Sequence, residues 1–224
     1  MPISRLLGFL ATAAAFMLAA AGAPAQTPGT DYLLLRNPQP TASGQKVEVL
    51  EFFWYGCPHC NTLQPPLEAW LRKRPDNVEF KRVPAAFNES WLQLARTYHT
   101  LDAMNLVDKL HHAVFAAIHE KRVLDPKVLI RDPKPLFDWV AGKGVERQKF
   151  IDTYQSFAVN GRTQRTLELT RKYDIPGTPA IVVDGRYLTA PSMILRPNRT
   201  IDYPRYFQVL DQVIALARKN RTGK

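Results

Sequence analysis

The sequence predicts an α/β fold interrupted by a helical subdomain, and three observations predict it. An apolar run, Val47 to Tyr55, is followed by Leu63, Leu67, Trp70 and Leu71 at helical spacing and then by a second strand-like run, Val78 to Val83. From Glu89 to about Tyr173 the apolar residues recur with helical period, far beyond the dozen or so residues that one crossover helix needs. Sheet character returns at Ala180 to Val183, where Asp184-Gly185 is a hairpin signal.

The 224-residue chain opens on a leader. Arg5 supplies a positive charge, Leu6 to Ala21 is apolar, and Ala23-Pro24-Ala25 offers small residues at a cleavage site. Cleavage after Ala25 and export to the periplasm are the expectation. The rival is an uncleaved anchor, for which the run is shorter than the roughly 20 residues that span a bilayer. Removing the leader leaves about 200 residues, enough for one domain with a modest insertion.

The net charge of +10 loses only Arg5 with the leader. It reads either as solvated helix faces or as a surface that favours anions. Nucleic acid is excluded as a partner. The basic clusters Arg72-Lys73-Arg74, Arg171-Lys172 and Arg218 to Lys224 have no interleaved aromatics, and the chain is exported.

Taken in order, Tyr32 to Leu35 is a short apolar run and Asn37 to Gln45 a connection. Val47 to Phe53 has buried-strand composition. A helix opens at Cys57 and runs to about Lys73, with Pro58 in a first turn where a missing N–H costs no bond. Val78 to Val83 then pairs parallel to the first strand, as a strand–helix–strand crossover requires. The helical faces carry Trp91, Leu92, Ala95 and Tyr98, then Leu106, Leu110, Val114 and Phe115. Val128, Phe137, Trp139 and Val140 follow, and last Phe150, Tyr154 and Phe157. Residues 85–173, including the return helix, are expected to form the insertion, and residues 26–84 with 174–224 the sheet domain. The final helix, about Tyr203 to Arg218, places Phe207, Leu210, Val213, Ile214 and Ala217 on one face to cover the sheet.

The two cysteines of the chain stand three positions apart in Cys57-Pro58-His59-Cys60. So small a loop gains little from a structural crosslink, whereas a close pair suits thiol–disulfide exchange. A thiolate is the nucleophile, and at a helix start the Cys57 sulfur gains from unpaired N–H groups, so its pKa should fall. His59 adds a donor or a positive charge in the same turn. Cys57 is therefore assigned to the mixed disulfide and Cys60 to its resolution. Two other uses of the pair remain open, a structural disulfide and a metal site completed by His111, His112 or His119. Haem attachment is excluded because Asn61, not histidine, follows Cys60. The remaining histidines are expected on solvated helix faces, and no metal or cofactor is assigned.

Val49 to Cys60, with Glu51 six residues before the first cysteine, and the later Ile175-Pro176-Gly177-Thr178-Pro179-Ala180 resemble the DsbA family of thiol–disulfide oxidoreductases. The resemblance covers nearly the whole chain after the leader and implies a thioredoxin-like fold. It implies that Pro179 is a cis-proline facing the cysteines and that Thr178 presents its backbone to an extended client. It also implies that Glu51 relays a proton to Cys60. The other reading of Glu51 is a strand carboxylate paired with a nearby Lys or Arg. Phe53, Trp54 and Tyr55 flank the site, some as core and some as apolar contact.

The activity implied is oxidation of newly exported proteins with free thiols, by a monomer reoxidised through a quinone-linked membrane partner of the DsbB type. Stabilising the thiolate favours the reduced form and strengthens the disulfide as an oxidant, the reasoning established for DsbA itself. The alternatives are an isomerase or reductase of the same fold, or a non-catalytic peptide-binding module or holdase.

Overall fold

The computed structural model describes residues 27–221. The leader and the expected cleavage after Ala25 lie outside the described residues. Five strands form one sheet: β1 (Leu33–Leu34), β2 (Val47–Phe53), β3 (Val78–Pro84), β4 (Ala180–Val183) and β5 (Tyr187–Thr189), in the order β1-β5-β4-β2-β3. β2 runs parallel to β3, with Val47 opposite Val78 and Glu51 opposite Arg82, and antiparallel to β4. Every residue of β2 is buried, which accounts for its near-continuous apolar run.

Alternation along β2 sorts its side chains into two layers. Val47 and Val49 face α1 (Pro58–Leu71) and the last helix, packing with Leu63, Leu67, Leu210 and Val213. Leu50 and Phe52 face the other way, onto Tyr173, Ile175 and Leu188. Glu51 takes the same face as Val49, so its carboxylate lies under the helix that begins with the cysteines. The β4–β5 turn has Asp184 and Gly185 at φ 55° and 61°, the left-handed pair that a two-residue hairpin demands. At Gly185 a Cβ would also lie 2.0 Å from the Gln39 carbonyl oxygen.

Between β3 and β4 run α2 (Leu92–Ala103), α3 (Val107–His119), α4 (Pro126–Leu129), α5 (Lys134–Ala141), α6 (Arg147–Gln155) and α7 (Phe157–Lys172). Their core includes Leu101, Leu110, Val114, Leu136, Val140 and Phe150, and it takes in Phe53 and Tyr55 from the end of β2. The final helix, α8 (Tyr203–Arg221), covers the Val47–Val49 face as its spacing foretold.

Three expectations need correction. Phe157 is 91% exposed and Val128 is exposed, although both were placed on apolar faces. α7 instead buries Thr163, Thr166 and Thr170, whose hydroxyls donate to carbonyls one turn back and so bring no unpaired donor into the core. The histidines of the helical segment are not all on solvated faces. His111 is fully buried and donates to or accepts from the Tyr55 hydroxyl at 2.9 Å, His99 pairs with Thr166 at 3.0 Å, and of the histidines in α2 and α3 only His112 is exposed. Burial drives the pKa of His111 well down and that of His99 to about 4, so both are neutral.

Candidate active site

Cys57 is the N-cap of α1, with extended backbone (φ −90°, ψ 116°), and Pro58 occupies the first helical position. The cysteine side chain makes no capping bond, so the first amides of α1 are left to face its sulfur. Cys57 is 9% exposed and Cys60 is fully buried, whereas Pro58 and His59 are exposed. The two sulfurs are not joined, and the site is in its dithiol form.

The environments of the two thiols push their pKa values apart. Cys57 falls to about 5, first because the Cys60 thiol donates to it, then through Thr178 and through the backbone N–H groups of Cys60 and His59, with burial opposing. Cys60 rises well above its usual value because it is buried and because Cys57 competes for the negative charge. Near neutral pH one sulfur is therefore an accessible thiolate and the other an inaccessible thiol, a division of labour suited to nucleophilic exchange. His59 contributes through its backbone N–H. The residue also lines a cleft together with Thr178 and Pro179.

The Thr178–Pro179 peptide bond is cis. The Cys57 thiol donates to the Thr178 carbonyl oxygen at 3.3 Å. That oxygen can only accept, so the contact belongs to the thiol, while side-chain donation from Thr178 favours the thiolate.

Glu51 has no exposure. Gln64 Nε2 donates to its Oε1 at 2.9 Å and also reaches the Cys60 carbonyl at 3.3 Å, which ties the carboxylate to the resolving cysteine through one amide. Arg82 Nε stands 3.4 Å from Glu51 Oε2, near enough for attraction but not aligned as a hydrogen bond. Burial raises the Glu51 pKa against the opposing pull of Arg82 and Gln64. Glu51 is thus a strand carboxylate beside Arg82 whose burial favours its protonated form.

Phe53 and Tyr55 are core, and Trp54 is the partly exposed member of the trio. The Trp54 ring stacks on Trp91 at 4.0 Å and lies over Gly56, where an added Cβ would be 2.3 Å from it. Gln64, Arg82 and Trp91 were not foreseen. Gln64, one turn beyond Cys60, and Arg82, opposite Glu51 in the parallel register, were accessible signals; the indole stack was not.

The model of the DSBA-like thioredoxin domain matches residues 48–195. The thiol:disulfide interchange protein DsbA of Burkholderia cepacia is 38% identical over 213 residues, covering 95% of this chain and 94% of that protein. The protein of the same name from Bordetella parapertussis is 41% identical over 217 residues, covering 96% and 97%. The crystal structure of Pseudomonas aeruginosa DsbA superposes with a TM-score of 0.75 at 34% identity, covering 88% of this chain and 97% of that one. With the thioredoxin-like sheet, the helical insertion and a Cys57–Cys60 pair of divided acidity in agreement, the chain belongs to the DsbA family and is a thiol:disulfide oxidoreductase acting on protein thiols.

Proposed function

We propose that the protein works as a dithiol oxidase, passing the Cys57–Cys60 disulfide to newly exported proteins in the periplasm. The observation that supports this direction is the lowered pKa of Cys57 beside the raised one of Cys60. A client thiolate attacks Cys57 Sγ, the Cys57–Cys60 bond breaks, and Cys60 leaves and takes up a proton. A second client thiolate attacks the client sulfur of the mixed disulfide, a client disulfide forms, and Cys57 leaves as a stabilised thiolate. The client loses two electrons and the cysteine pair gains them. A leaving thiol of low pKa departs faster and holds the reduced form down in energy, so electrons flow toward the enzyme.

In this scheme Glu51 supplies the proton for Cys60 through its buried carboxyl, and Pro58 and His59 shape the exposed turn that presents the sulfur. Thr178 and Pro179 offer the client a backbone edge, a mode that tolerates many sequences. Residues 26–84 and 174–224 carry this chemistry, and residues 85–173 wall it on one side. The protein acts as a monomer, uses no cofactor, and returns its electrons to a DsbB-type membrane oxidase. Among the described residues no helix is long and apolar enough to cross a membrane.

Equilibration with glutathione buffers tests the direction of flow. An oxidase should be half-reduced at a potential well above that of thioredoxin, about −270 mV. A poise as reducing as thioredoxin would overturn the proposal in favour of a reductase. Cys57→Ala should abolish client oxidation while client binding persists; retained biological activity in that variant would point to a holdase.

A further inference from the structure

The side chain of Glu51 is only half satisfied. Its Oε1 accepts from Gln64, whereas its Oε2 is buried without a hydrogen-bond partner. Arg82 stands opposite in the parallel register and is the cation that could close on this oxygen, yet its Nε stops at 3.4 Å and is itself unpaired. The guanidinium is engaged on its other side. Arg82 Nη2 donates to Glu68 Oε1 on α1, and His112 Nε2 on α3 meets the same oxygen at 3.1 Å.

Exposure rises along this row of side chains. Glu51 has none, Arg82 has 13%, Glu68 has 32% and His112 has 47%. The row ends at a cleft of about 520 Å³, which Arg72, Arg74 and Asp108 also line. Two carboxylates, one buried and one at the surface, therefore share a single guanidinium.

An arginine gives up no proton, so Arg82 acts on Glu51 through charge and position alone. A forked, two-bond pair between them would hold Glu51 as an anion. With its outer donor taken by Glu68, Arg82 does not make that pair, and the like charge of Glu68 also opposes ionisation of Glu51. The other titratable groups nearby are neutral near pH 7. Burial pushes up the phenols of Tyr55, Tyr98 on α2 and Tyr206 on α8 and the thiol of Cys60 on α1, and it pushes down the imidazole of His111 on α3.

We propose that Glu68 is a positioning residue for the proton step: by drawing the Arg82 guanidinium outward, it leaves Glu51 Oε2 free to carry the proton that Cys60 needs. When the Cys57–Cys60 bond breaks, that proton passes to the Cys60 sulfur, Glu51 is left as a carboxylate, and solvent returns the proton. The inference rests on the relay reading of Glu51 above and names the residue that keeps the relay loaded.

The test compares oxidised protein with its Glu68→Ala variant, a change that suits a helix, using kcat/KM for a synthetic dithiol peptide between pH 5 and 8. At pH 7 the variant should be about 3- to 10-fold slower, a fraction of the roughly 10²- to 10⁴-fold that a positioned acid–base group supplies. The gap should narrow as pH falls, because protons in excess load Glu51 in both proteins. Glu51→Gln should be slow as well, and adding Glu68→Ala to it should slow it no further. In carbon-13 NMR of glutamate-labelled oxidised protein, Glu68→Ala should move the Glu51 carboxyl midpoint to lower pH. The same slowing should persist in a His112→Asn background, and its disappearance there would overturn the assignment to Glu68. An unmoved midpoint, or equal slowing with and without the Glu51 carboxyl, overturns the role of Glu68 while leaving the relay standing. Full activity of Glu51→Gln overturns the relay and this inference with it.

Discussion

At Cys57 the charge of one sulfur is set by its neighbours, and four of these contributions are local: Cys60, Thr178 and the amides of His59 and Cys60. The folded pKa of about 5 lies below the usual thiol value near 8.5, so ionised Cys57 stabilises the reduced fold. That contribution is complete above the unfolded value, declines as pH falls and is lost below about 5. Thermal melting of reduced and oxidised protein should therefore show the reduced form gaining on the oxidised one from pH 5 toward 8, with the gain gone at pH 4. A gap that does not change across this range would refute the lowered pKa of Cys57. The cysteine pair and the helix start were legible in the sequence because local rules govern a helix N-terminus. The part played by His59 was not, since spacing cannot tell a backbone donor from an imidazole.

Among the elements, β2 and α1 carry most of the site, and the turn between them is guarded by packing. Gly56 is under the Trp54 ring, itself stacked on Trp91, and Phe87 meets Trp91 edge-on at 5.0 Å. Gly56→Ala must push the indole from its place, at a cost of about 1–3 kcal/mol typical of overpacking. Urea unfolding should register this loss together with slower exchange; unchanged stability would mean that the ring moves aside freely. β2, β3 and α8 were readable because their apolar periods match their burial. The inward face of α7 differs from the expected one because it begins at Val159 and continues as Thr163, Thr166 and Thr170, polar by type yet satisfied by their own helix carbonyls. Its apolar Phe157 projects outward instead.

Across the whole molecule, the sheet and the helical segment are joined by rings from β2. Phe53 belongs to the sheet by chain position but is in aromatic contact with Tyr55, Tyr98, His111 and Phe115, with centroids 5.0 to 5.9 Å apart. Phe53→Ala should cost about 3–5 kcal/mol, in the range for a buried aromatic. Because the lost contacts join both parts, far- and near-ultraviolet circular dichroism should still trace one shifted transition, and two separated transitions would contradict this coupling. Element order and parallel pairing followed from the sequence, whereas the depth of His111 did not, because only the tertiary fold brings Tyr55 to it. One contact described above links the two ends of the site. The Thr178 oxygen is capped by Cys57 while that sulfur carries a proton, and an ionised sulfur has no proton to give it. Acidification of the reduced enzyme toward pH 5 thus silences its nucleophile and covers the docking edge with the same proton, whereas the disulfide form has no such proton and leaves that edge open to the next client.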